Sequence, residues 1–215
     1  MKILMKSAFT KTSVQSIGPI SMTLYPGLNG LVGPNGSGKS AFIQLLAHCI
    51  PLHSGSIKYE LDSIVLSVSQ TRQQRGYVPQ DISIYDRFTV QKYLSYIAGL
   101  KLRGVKDVRN TIDFLDDFLE IRPLLNQKLG EISVGQQRIA MIAQSLIGDP
   151  RFLFYDEPFN NLDIRQRKNL LELLSVLANQ SIILLSNHLV EEMRGCYDQI
   201  ISMKDGTITN ISSQV

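Results

Sequence analysis

One glycine-rich segment carries the residues with the clearest chemistry in this chain. It consists of Gly33, Pro34, Asn35, Gly36, Ser37, Gly38, Lys39 and Ser40. Apolar residues 28–32 predict a buried strand before it, and residues 41–49 predict a helix behind it. Glycines let successive N–H groups turn toward one anion, and the helix N-terminus adds free N–H groups and a positive dipole end. Lys39 can reach terminal phosphates and Ser40 can ligate Mg²⁺, so the pattern is that of a P-loop, a backbone cradle for nucleotide phosphates.

Two adjacent carboxylates form the second candidate group. Asp156 and Glu157 follow an apolar strand predicted at residues 152–155. In an open α/β sheet, ligand groups gather at the C-terminal ends of the strands, and the P-loop follows such an end as well. Asp156 is then placed to hold Mg²⁺, usually through water, and Glu157 to polarise an attacking water. The alternative is an acidic turn before Pro158, and the presence of the P-loop argues against it.

The elements that must position these groups alternate strands with helices. About the first 27 residues, and then residues 57–59 and 64–68, have the pattern of a small antiparallel sheet. Apolar residues from Val90 to Ile147 fall at helical spacing, after which strands are predicted at 152–155 and 182–185, with a helix at 165–179 between them. Continuous apolar strands alternating with helices predict a parallel sheet covered on both faces.

The predicted fold class is therefore α/β. We expect a P-loop NTPase core with a parallel sheet, an N-terminal antiparallel β subdomain and an inserted α-helical subdomain at about residues 83–148. At 215 residues, a single domain spanning 1–215 is the simplest organisation.

Composition limits the compartment and the partners. The net charge of +3 is weak, and the basic residues are dispersed, so we expect no nucleic-acid partner. The longest apolar stretches, such as residues 182–185, are too short to span a bilayer, and the first residues lack the apolar region of a secretory signal. The two cysteines, Cys49 and Cys196, are expected to be small buried side chains in a reducing cytosolic protein.

Further short motifs follow in a fixed order along the chain. They are Gly-Tyr-Val-Pro-Gln ending at Gln80, Ile-Ser-Val-Gly-Gln-Gln-Arg at 132–138, Asn-Asn-Leu-Asp ending at Asp163, Ser-Asn-His ending at His188, and Lys-Asp-Gly at 204–206. With the P-loop and the acidic pair, they resemble the ATP-binding subunits of ABC transporters over about residues 3 to 210. Gln80 resembles the Q-loop glutamine, residues 132–136 the signature Leu-Ser-Gly-Gly-Gln, Asp163 the D-loop aspartate and His188 the switch histidine.

Each motif also has an alternative when it is taken alone. Gln80 would be a polar loop residue, Ser133 an N-cap for a helix at 136–146, and His188 a helix-start or core histidine. Order and spacing favour the family. Val134 departs from it by placing a stiff β-branched side chain where the family has glycine, although no donor is lost. Phe9 stands at a suitable distance to stack on adenine, but it would equally serve as a strand residue.

The resemblance implies ATP hydrolysis by in-line attack of water on the γ-phosphate. Lys39 and the P-loop amides would bind phosphates, while Ser40, Asp156 and Gln80 would hold Mg²⁺. Glu157 would be the base or the water-orienting group and His188 the γ-phosphate sensor, with Gln80 assisting. The family also implies an ATP-dependent, head-to-tail homodimer. In it, the ATP held by the P-loop of one protomer is also contacted by residues of the partner protomer. In this chain those residues would be Ser133, Gly135, Gln136 and Asp163.

Transport would require a separate transmembrane permease subunit, docked near Gln80 and residues 82–96. The chain would then be cytoplasmic and peripheral on the inner face of the cell membrane. A chain ending near residue 215 leaves no room for the C-terminal regulatory domain of many importers, which favours an exporter, with a compact importer as the alternative. The alternative is an ABC ATPase of DNA repair or translation. A P-loop kinase or GTPase is a further rival, but the sequence shows no lid or base-reading motif and the signature segment would be unexplained.

Overall fold

A computed structural model describes residues 1–82, 85–187 and 194–213. Its strands are β1 (Lys2–Lys11), β2 (Ser16–Leu24), β3 (Gly27–Val32), β4 (Ser54–Leu61), β5 (Ile64–Val65), β6 (Arg75–Val78), β7 (Phe152–Asp156), β8 (Ile182–Ser186), β9 (Gln199–Lys204) and β10 (Thr207–Ser213). Its α-helices are α1 (Lys39–Leu46), α2 (Val68–Gln73), α3 (Val90–Leu100), α4 (Val105–Leu119), α5 (Val134–Leu146) and α6 (Ile164–Ala178).

The larger sheet has the strand order β10-β9-β3-β8-β7-β6, and it is parallel except for the pairing of β9 with β10. Strand β7 is buried along its whole length. Phe152 and Phe154 belong to one core cluster, shared with α1, whereas Leu153 and Tyr155 belong to another, shared with α5 and α6. Because both faces are covered, the strand sequence is continuously apolar. The predicted α/β class with a parallel sheet is confirmed.

The smaller sheet has the order β2-β1-β4-β5 and is antiparallel throughout, as predicted for the N-terminal subdomain. Some predicted boundaries were wrong. The helix expected at 41–49 ends at Leu46. The strand expected at 64–68 ends at Val65, and Val68 begins α2. Ser67 is the N-cap of that helix, because its Oγ accepts from Gln70 N (3.3 Å) while Gln70 Oε1 accepts from Ser67 N (2.9 Å). This reciprocal capping box favours a helix start over continued strand.

The helices α3, α4 and α5 lie between β6 and β7 in the chain, as the helical periodicity predicted. Their apolar faces, which include Leu94, Leu115 and Ile139, join the core cluster that covers one face of the parallel sheet. Among the residues that the structure describes, no helix combines the length and the apolar character needed to cross a bilayer.

The cysteine prediction was wrong in one respect. Cys49 and Cys196 are both free thiols, but both are exposed. Cys49 lies beyond the last turn of α1, and Cys196 lies in a short 3-10 turn before β9, so neither belongs to an element that packs on the core.

The topology brings the ends of several strands to one edge. The P-loop follows β3, Gln80 follows β6, and Asp156 ends β7 beside Ser186, the last residue of β8. Since these strands are parallel, their carboxyl ends open on the same side of the sheet, where ligands bind in this class of fold.

Candidate nucleotide site

Backbone packing fixes the loop between β3 and α1. Gly33 has φ +154°, and a Cβ added there would lie 2.1 Å from Met203 O, so only glycine fits. Ser37 N donates to Pro34 O (3.2 Å), and Gly206 N donates to Ser37 O (2.9 Å), which ties the loop to the β9–β10 turn. The loop therefore has its shape before any ligand binds.

Lys39 lies inside this loop. It is 6% exposed, and its Nζ donates to Gly33 O (2.8 Å) and Pro34 O (3.1 Å). Burial lowers the pKa of Lys39, while the negative charges of Glu157 and Asp156 oppose that shift. The ammonium group is thus held by neutral carbonyls at a place where an anionic oxygen would bind it more strongly.

A cavity of about 300 Å³ opens beside the loop. It is lined by Gln15, Asn35, Gly36, Ser37, Gly38, Lys39, Ser40, Gln80 and Glu157. The structure therefore brings together the P-loop, the Q-loop glutamine and one of the two carboxylates, which are far apart in the sequence.

Sequence reasoning missed Gln15. This residue lies in the turn between β1 and β2, and it reaches the P-loop from the antiparallel sheet. In the amide orientation that satisfies both groups, its nitrogen donates to Gly36 O (2.8 Å) and its oxygen accepts from Gly38 N (3.3 Å). No motif surrounds Gln15, so only the fold reveals this contact.

Three oxygen donors converge at the start of α1. Ser40 Oγ lies 3.5 Å from Gln80 Oε1, and Asp156, which is 1% exposed, accepts from Ser186 Oγ (2.6 Å). Burial raises the pKa of Asp156, whereas hydrogen bonds from Ser186 and Ser40 lower it.

This donor set fits Mg²⁺. The cation prefers oxygen ligands, and it commonly takes one or two carboxylates together with substrate phosphates and water. Within residues 1–82, 85–187 and 194–213, no group of three or more His, Cys, Asp or Glu side chains could hold a metal.

Glu157 lies at the cavity wall with an uncommon backbone conformation. Its φ is +50°, in the left-handed region that non-glycine residues rarely adopt and that is enriched at functional sites. Its backbone N donates to Ser186 Oγ (2.9 Å), and Asn160 Nδ2 donates to its Oε2. The turn that follows β7 thus aims this carboxylate at the cavity.

The signature and D-loop residues occupy helix starts. Ser133 caps α5, since its Oγ accepts from Gln136 N (3.2 Å) while Gln136 Oε1 accepts from Ser133 N (2.9 Å). Asp163 caps α6 in the same reciprocal way with Gln166, at 2.8 and 3.1 Å.

Gly135 packs against the D-loop, where an added Cβ would lie 2.6 Å from Asn161 O. Ser133, Gly135, Gln136 and Asp163 do not line the cavity of their own chain. Their assignment to the ATP of a partner protomer stays a prediction.

One other candidate lies outside this arrangement, and a second is not among the described residues. Phe9 is a half-buried residue within β1 whose ring packs edge-on against His53, with centroids 6.5 Å apart, and it does not line the cavity. The structure thus gives Phe9 the place of a strand residue. The predicted switch histidine, His188, lies outside the described residues.

Comparison with known proteins identifies the family. The family model described as ABC transporter matches residues 17–160. The ABC transporter ATP-binding protein NatA of Bacillus subtilis is 27% identical over 201 residues, which cover 92% of this chain and 82% of NatA. ABC transporter G family member 8 of Arabidopsis thaliana is 32% identical over 194 residues, covering 88% of this chain. The chain spans only 33% of that relative and 34% of the probable multidrug ABC transporter ATP-binding protein YbhF of Escherichia coli.

Solved structures agree on the fold. The structure of an ATP-binding subunit of an ABC transporter superposes with a TM-score of 0.87 at 20% identity, covering 99% of this chain and 90% of the other. The dimeric structure of a bacterial ABC transporter cassette gives 0.82 at 21% identity, covering 98% of each chain. At this level of identity the likeness concerns the fold alone. Together with the family match over residues 17–160, it shows that the chain belongs to the ABC transporter family, as an ATP-binding domain.

Proposed function

We propose that this chain binds ATP with Mg²⁺, hydrolyses it, and thereby powers transport by a separate membrane-spanning subunit. ATP-binding domains of this family are ATPases in general. The observation that carries the proposal is the cavity of about 300 Å³ in which the P-loop, Gln80 and Glu157 face one another, with Asp156 buried at the adjoining strand end.

Binding rests on Lys39 and the loop amides. When a triphosphate enters, the Lys39 ammonium exchanges its bonds to the carbonyls of Gly33 and Pro34 for charge-assisted bonds to phosphate oxygens, which are roughly twice as strong as neutral ones. Backbone N–H groups of the loop supply further donors. The Gln15 amide, which accepts from Gly38 N, would also have to move for that N–H to reach a phosphate.

Ser40, Asp156 and Gln80 would hold Mg²⁺. When bound, the cation neutralises charge on the phosphate oxygens. The Asp156 carboxylate must be ionised for this role, and its hydrogen bond from Ser186 favours the ionised form. The side chain of Gln80 lies beside Ser40, so it can orient a water on the same cation.

Glu157 is the proposed base or water-orienting group. Asn160 donates to this carboxylate, which faces the cavity. The carboxylate can accept a proton from the attacking water as the oxygen of that water bonds to the γ-phosphorus and the bond from the γ-phosphorus to the bridging oxygen breaks, which releases ADP. His188 is proposed as the sensor of that phosphate, on the family motif alone.

We further infer that the chain acts as an ATP-dependent, head-to-tail homodimer. Ser133, Gly135, Gln136 and Asp163 would then contact the ATP held by the partner protomer. A related cassette has been solved as a dimer, which supports this reading. The exposed position of Ser133 at the N-terminus of α5 leaves its hydroxyl and the free N–H groups there accessible to a partner's phosphate.

The membrane partner is proposed to be a transmembrane permease that docks near Gln80 and the start of α3. Tyr85 is 50% exposed and stacks on Phe88 with centroids 5.1 Å apart, and Tyr96 is 41% exposed beside them. The chain would act on the cytoplasmic face of the membrane as one domain, 1–215, with the helical subdomain at about 83–148. An exporter is favoured, in line with the multidrug description of the relative YbhF.

The first test measures nucleotide binding. Lys39→Ala should weaken binding of a fluorescent ATP analogue with Mg²⁺ by about 10- to 100-fold, because charge-assisted hydrogen bonds contribute roughly 1.5–3 kcal/mol. Lys168→Ala removes an exposed lysine of α6 and serves as the matched control, with no change expected. Equal affinity in the Lys39 variant and the wild type would refute the site.

The second test concerns transport. Co-expression with a candidate permease should move the chain to the membrane fraction, and Tyr85→Ala together with Tyr96→Ala should release it while ATP binding is retained. If the chain instead co-purifies with ribosomes or DNA at physiological salt, the transport proposal is wrong and the alternative of a repair or translation ATPase stands.

A further inference from the structure

Arg138 is a buried arginine on the signature helix α5. It is 2% exposed, and its Nη1 donates to Pro79 O (2.6 Å) while its Nη2 donates to Gln80 O (2.7 Å). A guanidinium group is a rigid planar fork, so two simultaneous bonds fix both position and direction of the acceptors. The two acceptors here are successive carbonyls of the Q-loop backbone.

The charge of Arg138 also faces the proposed catalytic carboxylates. Burial lowers its pKa, whereas the nearby charges of Asp156, Glu157 and Asp81 raise it. An arginine remains protonated under such conditions. The buried guanidinium therefore binds the Q-loop backbone while it is stabilised by the negative charges at the acidic end of β7.

The side chain of Gln80 depends on that backbone. Gln80 is exposed, and its Oε1 meets Ser40 Oγ at 3.5 Å across the cavity. A glutamine side chain has three rotatable bonds, so its amide can reach Ser40 reliably only if its own backbone is held in place. Arg138 donates to the carbonyls on both sides of the Gln80 Cα, one in the Pro79–Gln80 peptide unit and one in the Gln80–Asp81 unit.

We propose that Arg138 is a positioning residue: it fixes the backbone at Pro79 and Gln80 and so sets where the Gln80 amide meets Ser40 and the Mg²⁺ of bound ATP. The inference rests on the proposed function. The contact of Arg138 also links the signature segment to the nucleotide cavity of the same chain, because the helix capped by Ser133 carries the arginine that holds the Q-loop backbone.

The same helix offers a matched control. Gln144 also lies on α5, and its Nε2 donates to Tyr77 O (2.8 Å), a carbonyl within β6 just before the Q-loop. Gln144→Leu removes a helix-to-backbone bond of the same kind, but it leaves the carbonyls of Pro79 and Gln80 held. It therefore separates a structural cost from a positioning effect.

The experiment compares Arg138→Met, Arg138→Lys and Gln144→Leu. For Arg138→Met we expect the Mg²⁺ concentration that half-saturates ATP-analogue binding to rise about tenfold, within the range of coupling energies for residues in contact. Amide exchange in residues 80–82 should become faster without nucleotide. Arg138→Lys should be intermediate, since it keeps the charge and loses the fork. Gln144→Leu should leave the Mg²⁺ dependence unchanged even if it lowers Tm.

A double-mutant cycle with Gln80→Ala tests whether Arg138 affects Mg²⁺ binding through Gln80. If Arg138 acts through Gln80, the Mg²⁺ shift caused by Arg138→Met should disappear in the Gln80→Ala background. Additive shifts would overturn the inference, and so would a wild-type Mg²⁺ dependence in Arg138→Met. Should Arg138→Met fail to fold, the same cycle is run with Arg138→Lys.

The failure of this inference differs from the failure of the proposed function. A wild-type protein that shows no Mg²⁺-dependent ATP binding refutes the proposed function. A wild-type protein that binds normally, while the Arg138 variants match Gln144→Leu, refutes only the positioning role.

Discussion

The nucleotide cavity and the signature segment contain similar polar residues and use them in opposite ways. Lys39 in the cavity and Asp156 at the strand end beside it are buried. Burial lowers the pKa of Lys39 and raises the pKa of Asp156, so it favours the neutral form of each. In the signature segment, Ser133 and Gln136 satisfy backbone N–H groups at an exposed helix start. The cavity groups therefore cost stability in the empty protein, whereas the capping groups contribute to it.

The difference teaches which features reveal function within a single chain. Buried charges around an open cavity point to a ligand, because the fold alone gains nothing from them. A capping box carries no such signal. Ser67 and Gln70 form the same box at α2, at 3.3 and 2.9 Å, without any motif around them. Only the order and spacing of the motifs distinguish Ser133 from Ser67.

The largest expected effect is at Glu157, on the cavity side of the comparison. Glu157→Gln should lower kcat by about 10²- to 10⁴-fold, the usual contribution of a positioned general base. ATP binding should persist, because the amide keeps the shape and loses only the charge. Single-turnover hydrolysis measures the chemical step, and Glu172→Gln, an exposed glutamate of α6, is the control. A wild-type single-turnover rate would exclude Glu157 from this role, and loss of ATP binding would make it structural.

The signature side is tested by a pair of serine caps. Ser133→Ala and Ser67→Ala should each lower the free energy of unfolding by about 1 kcal/mol, because each removes one N-cap acceptor. Only Ser133→Ala should also reduce the ATP-dependent dimer, measured by light scattering in the Glu157→Gln background. If both variants dimerise equally well, Ser133 is merely a cap and the trans assignment fails.

Gly135→Asp is a poor substitute in that experiment. A side chain at residue 135 would meet Asn161 O at 2.6 Å for its Cβ alone, so the variant would displace the D-loop within its own chain. Loss of the dimer would then have two explanations. The serine pair avoids this ambiguity, because Ser67 and Ser133 both have exposed side chains that make the same local bonds.

The sequence was sufficient for the parts of the fold that depend on local pattern. The P-loop, the acidic pair at the end of β7 and the helix start at Ser133 follow from residue types at short spacing, and the apolar strands predicted the parallel sheet. The strand expected at 64–68 failed because Ile64 and Val65 are apolar yet exposed, and the cap at Ser67 outweighed them.

Contacts between residues that are far apart in the sequence could not be predicted. Gln15 reaches the P-loop only because the β1–β2 turn folds over it. Arg138 would be expected on a solvated helix face, since arginine is seldom fully buried, and its two carbonyl partners are 59 and 58 residues away in the chain. Neither residue type nor spacing signals such contacts.

The smallest expected effect is a gain in stability of the nucleotide-free protein, caused by a substitution beside the cavity. Asp156→Asn should raise the Tm of the nucleotide-free protein by about 2–4 °C, as expected for roughly 1 kcal/mol in a domain of this size. The carboxylate has a raised pKa in the folded state, so the native protein holds that proton more tightly than the unfolded chain does. At pH values above the raised pKa both states are ionised and the full burial cost is present. The advantage of the variant should shrink as pH falls through the raised pKa toward about 3.9, the value for a free aspartate.

The check is a series of thermal melts from neutral to acid pH, with Asp117→Asn on the exposed face of α4 as the control. Mg²⁺ with ATP should reverse the order of the two proteins, because only the wild type gains the ligand's stabilisation through that carboxylate. If Asp156→Asn lowers Tm without nucleotide, the hydrogen bonds from Ser186 and Ser40 outweigh the burial cost. The carboxylate would then stabilise the fold as Ser133 does, and the contrast between the cavity and the signature segment would not hold at this residue.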